Sequence, residues 1–133
     1  MSWQTFVDTN LLGTGNIHQA AIFGLDGTLW ATSGGFNPNA EEVKNIIESF
    51  DNTEKVQGNG IRCNEKKYYF VSGQETDDRK NYISIHCKQG ADGIIAEKTI
   101  QAVIIGTYTE GTAAGAANKA VGDLGDYLRG LNY

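Results

Sequence analysis

From Gly60 to Tyr108 the chain is cut into short segments by brief polar turns, and this punctuation constrains the fold more than any other feature of the sequence. Segments near 60–63, 67–73, 82–87, 93–97 and 101–108 read as strands. Asn64-Glu65-Lys66, Glu75 to Lys80 and Gly90-Ala91-Asp92-Gly93 separate them. Connections this short join antiparallel neighbours, because a parallel pair needs a crossover of a dozen or more residues. The run Ala102-Val103-Ile104-Ile105-Gly106 reads as a central strand covered on both faces.

Helical periods flank this meander. Trp3, Phe6, Val7, Asn10 and Leu11 recur at three-and-four spacing, with Ser2 as N-cap and Gly13 as stop. Residues 17–23 and Thr28 to Thr32 read as a hairpin turning on Asp26-Gly27, a two-residue hairpin signal. Strict alternation puts Leu29 and Ala31 on one face and Thr28, Trp30 and Thr32 on the other. Asn39 followed by Glu42 forms a capping box ahead of the stripe Val43, Ile46, Ile47 and Phe50. Polar residues 51–59 then end the helix. Ala117, Val121, Leu124, Leu128 and Leu131 stripe a last helix that carries Gly115, Gly122 and Gly125. Each helical glycine costs about 1 kcal/mol against alanine, which points to close backbone approach.

The expected architecture is α+β: a central, mostly antiparallel sheet, the N- and C-terminal helices together on one face, and a further helix on the other. With no internal repeat and no linker, one domain spans 1–133.

Composition excludes several function classes. A net charge of -5 argues against a general nucleic-acid binder. The opening residues lack the basic start and apolar stretch of a secretory signal, and no apolar run is long enough to span a bilayer. Cys63 and Cys87 belong to no CxxC pair, and with two His they make no zinc set, so reduced thiols and no metal are expected.

No enzyme constellation is present, and no cofactor is expected. Gly13-Thr14-Gly15 lacks the third glycine of a dinucleotide loop, since position 18 is His18. There is no phosphate loop and no GxSxG elbow. Asp77 and Asp78 are adjacent and point apart, which makes them poor acid–base partners.

The informative residues are aromatic. Trp3 and Phe6 open the first helix, Trp30 lies on the hairpin, Tyr127 sits beside the stripe of the last helix, and Tyr133 ends the sequence. If the two end helices are neighbours over the first hairpin, these rings form one exposed patch. A polyproline II segment suits it, being stiff before binding and carrying unpaired carbonyls. Indole N–H and tyrosine O–H groups donate to those carbonyls while the rings stack on the pyrrolidines.

These residues also carry a family resemblance. Ser2 to Asp8 with Leu11, then Ala20 to Ala31, resemble the N-terminus of profilins. Lys98-Thr99 through Gly106-Thr107-Tyr108 resembles the family's late strand, and Gly122-Asp123-Leu124-Gly125-Asp126-Tyr127-Leu128 its closing helix, especially in plant and amoeboid members. The match spans essentially the whole chain.

The resemblance implies a cytoplasmic, monomeric protein of the actin cytoskeleton and cell cortex, with three activities. The first is binding of proline-rich segments in formin-like regulators through Trp3, Phe6, Trp30, Tyr127 and Tyr133. Phe6 stands where the family commonly has tyrosine. The second is one-to-one binding of monomeric actin, with faster exchange of its nucleotide and regulation of filament assembly. The residues implied are Lys67, Tyr69, Phe70, Lys88, Thr112, Ala113, Gly115, Asn118, Lys119 and Asp123. The third is weak binding of phosphoinositides at the membrane surface through Arg79, Lys80 and Lys88, beside Asp77 and Asp78. The rival reading is a small α+β sensor or scaffold domain without actin binding.

Overall fold

A computed structural model describes residues 2–133. Seven strands form one antiparallel sheet: β1 (Gln19–Gly24), β2 (Leu29–Thr32), β3 (Ile61–Cys63), β4 (Lys66–Glu75), β5 (Tyr82–Gln89), β6 (Asp92–Lys98) and β7 (Ala102–Tyr108). Their order is β2-β1-β7-β6-β5-β4-β3. Thus the five-strand meander holds as read, and the first hairpin joins it through β1 against β7, with Ile22 opposite Ile104.

Alternation along the strands builds two cores. Ala21, Phe23, Ile85, Cys87, Ile94, Ala96, Val103 and Ile105 pack on one side with Val43 and Ile46 of α2 (Ala40–Ser49), its C-cap Phe50, and Val56 of α3 (Thr53–Asn59). Ala20, Ile22, Ile95, Ala102 and Ile104 pack on the other side. There they meet Phe6, Val7 and Leu11 of the N-terminal helical segment and Ala117, Val121, Leu124 and Leu128 of α4 (Ala114–Gly130). Each of the larger apolar side chains buried this way contributes roughly 1.5–3 kcal/mol. All of β7 is buried, as a strand with both faces covered must be.

The helix starts follow local chemistry. Ser2 Oγ accepts from Thr5 N at 3.2 Å. The segment it caps is a short α-turn, α1 (Trp3–Thr5), running into π-helix over Phe6–Leu11 and a 3-10 turn over Leu12–Thr14. At α2 the capping box is complete: Asn39 Oδ1 accepts from Glu42 N at 2.8 Å, and Glu42 Oε1 accepts from Asn39 N at 3.0 Å.

Several sequence expectations change. Residues 51–59 hold α3, capped by Asn52 Oδ1 on Lys55 N and stopped at Gly60. Four residues, 25–28, separate β1 from β2. The bend is centred on Leu25-Asp26, with Gly27 left-handed at φ 90°. Leu131 lies beyond α4 and is 46% exposed, so it leaves the core stripe. Close approach explains only Gly125, where a β-carbon would stand 1.8 Å from Glu97 Oε2; Gly115 faces open space and Gly122 has ordinary room.

Candidate functional site

The N-terminal segment, the edge hairpin and the end of α4 converge on one group of rings. Gln4 Nε2 donates to Thr32 O at 2.9 Å and so ties α1 to β2. Trp3 then stacks at 4.5 Å from Trp30, 5.1 Å from Tyr133 and 5.5 Å from Phe6, and Phe6 meets Tyr127 at 5.8 Å. All five aromatic residues singled out in the sequence are therefore together. Edge-on and tilted contacts dominate, the arrangements that ring quadrupoles favour.

The rings differ in exposure. Tyr127 and Tyr133 are exposed and Trp3 and Trp30 half-buried, whereas Phe6 is 6% exposed. Phe6 is thus the floor of the groove, not part of an open patch. A cavity of about 310 Å³ opens here between Trp3, Phe6, Tyr127, Leu128, Leu131 and Tyr133. Leu131 is the wall that the sequence placed in the core.

Trp30 reaches this side through a bulge. Ile22 faces Ala31 and Phe23 faces Leu29, which leaves Trp30 without a partner directly opposite. The extra residue breaks alternation. Trp30 and Ala31 consequently pack into the same core, against the expectation that they face apart. The indole lies over Gly24, where a β-carbon would come within 3.1 Å of its Nε1 and Cζ2.

A second concave surface, about 250 Å³, lies between β4, β5 and the start of α4. Gly115 and Asn118 line it from the helix; Ser72, Gly73, Gln74, Ser84 and His86 line it from the sheet. Lys119 pairs with Asp123 at 2.9 Å, both exposed, and Thr112 and Ala113 precede the helix. Tyr69 lies directly opposite Lys88 across the β4–β5 pair and is 63% exposed, with Lys67 Nζ 5.8 Å from its ring. Phe70 does not join this surface: it packs into the other core and stacks on Tyr82 at 5.8 Å. His86, Ser72 and Ser84, none of them among the expected site residues, come beside α4 only through the pairing register. His86 Nε2 lies 2.6 Å from Tyr108 Oη. Burial, and secondarily Lys88, lowers the His86 pKa and favours the neutral ring.

The basic residues expected to meet phosphoinositides are not gathered. Arg79 and Lys80 lie in the exposed turn before β5, where Asp78 accepts from Lys80 N at 3.0 Å. Lys88 lies near the far end of β5, roughly 20 Å away at strand spacing. Cys63 and Cys87 are free and buried. Burial raises both thiols, Cys87 to about 12, so neither is a ready nucleophile. Among the described residues, no group of three or more His, Cys, Asp or Glu is placed to hold a metal, and no helix is long and apolar enough to cross a membrane.

The fold and its surfaces define a small α+β binding module with an aromatic groove at the joined chain ends and a separate polar concavity beside α4. A family model described as profilin matches residues 1–133. Profilin-1B of Acanthamoeba castellanii is 41% identical over 133 residues, covering 100% of both chains. The crystal structure of profilin II from the same organism superposes with a TM-score of 0.89 at 38% identity, covering 99% of this chain and 100% of that one. Mouse profilin IIa, in complex with a double repeat from the FH1 domain of mDia1, shares the fold at a TM-score of 0.80 and 22% identity, covering 100% of each chain. The chain belongs to the profilin family, and with it to the regulators of actin.

Proposed function

We propose that this profilin binds proline-rich segments in the groove of Trp3, Phe6, Trp30, Tyr127 and Tyr133. On its second surface it binds monomeric actin one-to-one, speeding actin's nucleotide exchange and regulating filament assembly. The observation that carries the first part is the ring cluster itself, with Trp3 in contact with Trp30, Phe6 and Tyr133 at once. Exposed ring faces stack on pyrrolidines, and the Tyr127 and Tyr133 hydroxyls and the indole N–H groups donate to peptide carbonyls. Mouse profilin IIa holds an FH1 repeat of mDia1. A partner of that kind is carried to this chain on the strength of its own rings. For the actin surface the support is family membership, with Gly115 and Asn118 lining the concavity, Lys119 and Asp123 exposed on the same helix, and exposed Tyr69 opposite half-buried Lys88 on the neighbouring strands. Phosphoinositide binding through Arg79, Lys80 and Lys88 is weak in this reading, because each cation near an anionic membrane adds only about 1 kcal/mol and these are dispersed.

The test is a titration of poly-L-proline followed by tryptophan fluorescence. Trp3 and Trp30 are the only tryptophans; Trp3 lines the groove cavity and Trp30 packs on it at 4.5 Å, so emission changes on binding. A flat titration returns the chain to the reading of a scaffold without this ligand.

A further inference from the structure

The end of β6 and the turn between β6 and β7 touch the last turn of α4 and the segment after it almost residue by residue. Arg129 Nη2 lies 3.1 Å from Glu97 Oε2 and donates to Lys98 O at 2.7 Å. Thr99 Oγ1 donates to Tyr133 O at 2.8 Å. Gln101 N donates to the same oxygen, and Gln101 Nε2 donates to Asn132 O at 2.8 Å. On its other side the turn is anchored to the first hairpin, since Leu25 N donates to Gln101 O at 3.0 Å.

We propose that Thr99 and Gln101 are positioning residues of the aromatic groove, holding the backbone of residues 132–133 so that the Tyr133 ring stands against Trp3; this rests on the proline-binding reading above. Neither side chain is among those lining the groove cavity. Thr99 is 5% exposed, and its oxygen also accepts from Ala102 N at 3.1 Å. The hydroxyl also lies 3.2 Å from Ala102 O, but that oxygen already receives Thr99 N at 2.8 Å, and the shorter 2.8 Å contact to Tyr133 O takes the hydroxyl proton. The segment it holds needs holding. Asn132 is left-handed at φ 66°, a bend that folds the chain back after α4, and Tyr133 is 41% exposed. An exposed residue with few packed neighbours is ordered chiefly by the hydrogen bonds that hold its backbone. A groove with one ring loose would have to order that ring on binding, which lowers affinity without removing any direct contact.

The test is a double-mutant cycle on the full chain, with a proline decamer as ligand and tryptophan fluorescence as readout. Thr99→Val weakens binding about 3–10-fold, as expected when the bond that holds Tyr133 O is lost and the ring must be ordered on binding. In a Tyr133→Ala background the same substitution changes affinity less than twofold, because the ring it serves is gone. A merely structural role would cost as much in either background. Gln101→Ala, at an exposed position, is the second variant should Thr99→Val fold poorly, and it carries the same expectation. In the peptide-free protein both substitutions raise acrylamide quenching of the tryptophans, since the Tyr133 ring no longer shields Trp3. Wild-type affinity in both variants, or a loss that adds in full to that of Tyr133→Ala, overturns the positioning role. Absence of binding by the wild type overturns the groove reading itself, and the positioning role with it.

Discussion

The carboxylate of Glu97 lies against the α-carbon of Gly125, so that a β-carbon at that glycine would stand 1.8 Å from Oε2 and 2.8 Å from Cδ. Only glycine lets α4 settle this low on β6, and the descent carries Tyr127, two residues further on, to the rim of the groove. Helix propensity and packing are therefore opposed at this position.

Gly125→Ala resolves that opposition. Alanine would gain about 1 kcal/mol of helix propensity. The buried carboxylate cannot move aside without breaking its pair with Arg129, so the overpacking cost wins and net stability falls by about 1–3 kcal/mol. Gly58→Ala in α3 is the control: a β-carbon there meets nothing within 4 Å. That variant is expected to gain about 0.5–1 kcal/mol. Thermal unfolding of the two variants should move in opposite directions.

Glu97 also gives stability a pH signature. Burial pushes its pKa from 4.5 up to about 7; Arg129 pulls it down, and Asp126 and Asp123 add to the rise. Its sheet neighbours Ser84 and Ile104 offer no charge. The folded state thus holds more protons than the unfolded state between pH 4.5 and about 7. The group's contribution is complete below that window and is lost as pH rises through it. Glu97→Gln keeps the shape without the charge. Its stability relative to wild type should grow from about pH 5 to pH 8, by at most about 3 kcal/mol. Parallel pH–stability curves for the two proteins would refute this.

Glu42 is the corresponding anchor on the other face. Its Oε1 accepts from Asn39 N and Asn64 N, each at 3.0 Å, and its Oε2 accepts from Glu65 N at 2.9 Å. One buried carboxylate thereby starts α2 and holds the β3–β4 turn, whose Asn64 and Glu65 are both left-handed. Glu42→Ala leaves three backbone donors without their acceptor and is expected to cost about 2–4 kcal/mol. Glu42→Gln retains one acceptor oxygen and should lose about half as much. Urea midpoints rank the three proteins, and equal midpoints for Ala and Gln would mean that the turn contacts contribute nothing.

What could be read from the sequence was local or periodic. The Asn39–Glu42 box depends on residues three apart, and the burial of β7 on an unbroken apolar run, so both stood in plain view. The convergence of Trp3 with Tyr133 followed from two helical stripes that had to cover one sheet. Pairing is different. The bulge that turns Trp30 toward Trp3 exists only in the register of β1 against β2. Phe70 parts from Tyr69 because alternation sends it to the opposite core. Arg79 and Lys88 looked like one basic set until β5 ran its length between them. Helix α3 escaped notice because Val56 is its only buried residue, so it has no stripe. Leu131 fits the period of α4 but falls one residue past its end, where the chain turns back.

The two proposed surfaces should separate by mutation. Lys119 and Tyr127 are eight residues apart on α4, about 12 Å along the axis at helical rise. The Lys119 side chain is 75% exposed and pairs with Asp123. Lys119→Glu places two acids at i and i+4, which costs the helix about 0.5 kcal/mol or less and leaves the fold intact. Delayed assembly of pyrene-labelled actin, the expected effect of the wild type, should weaken in this variant, because a cation aimed at the partner becomes an anion. The poly-L-proline titration should match wild type, since no ring of the groove contacts Lys119. Loss of both activities together would mean that the surfaces are coupled through α4 and act as one.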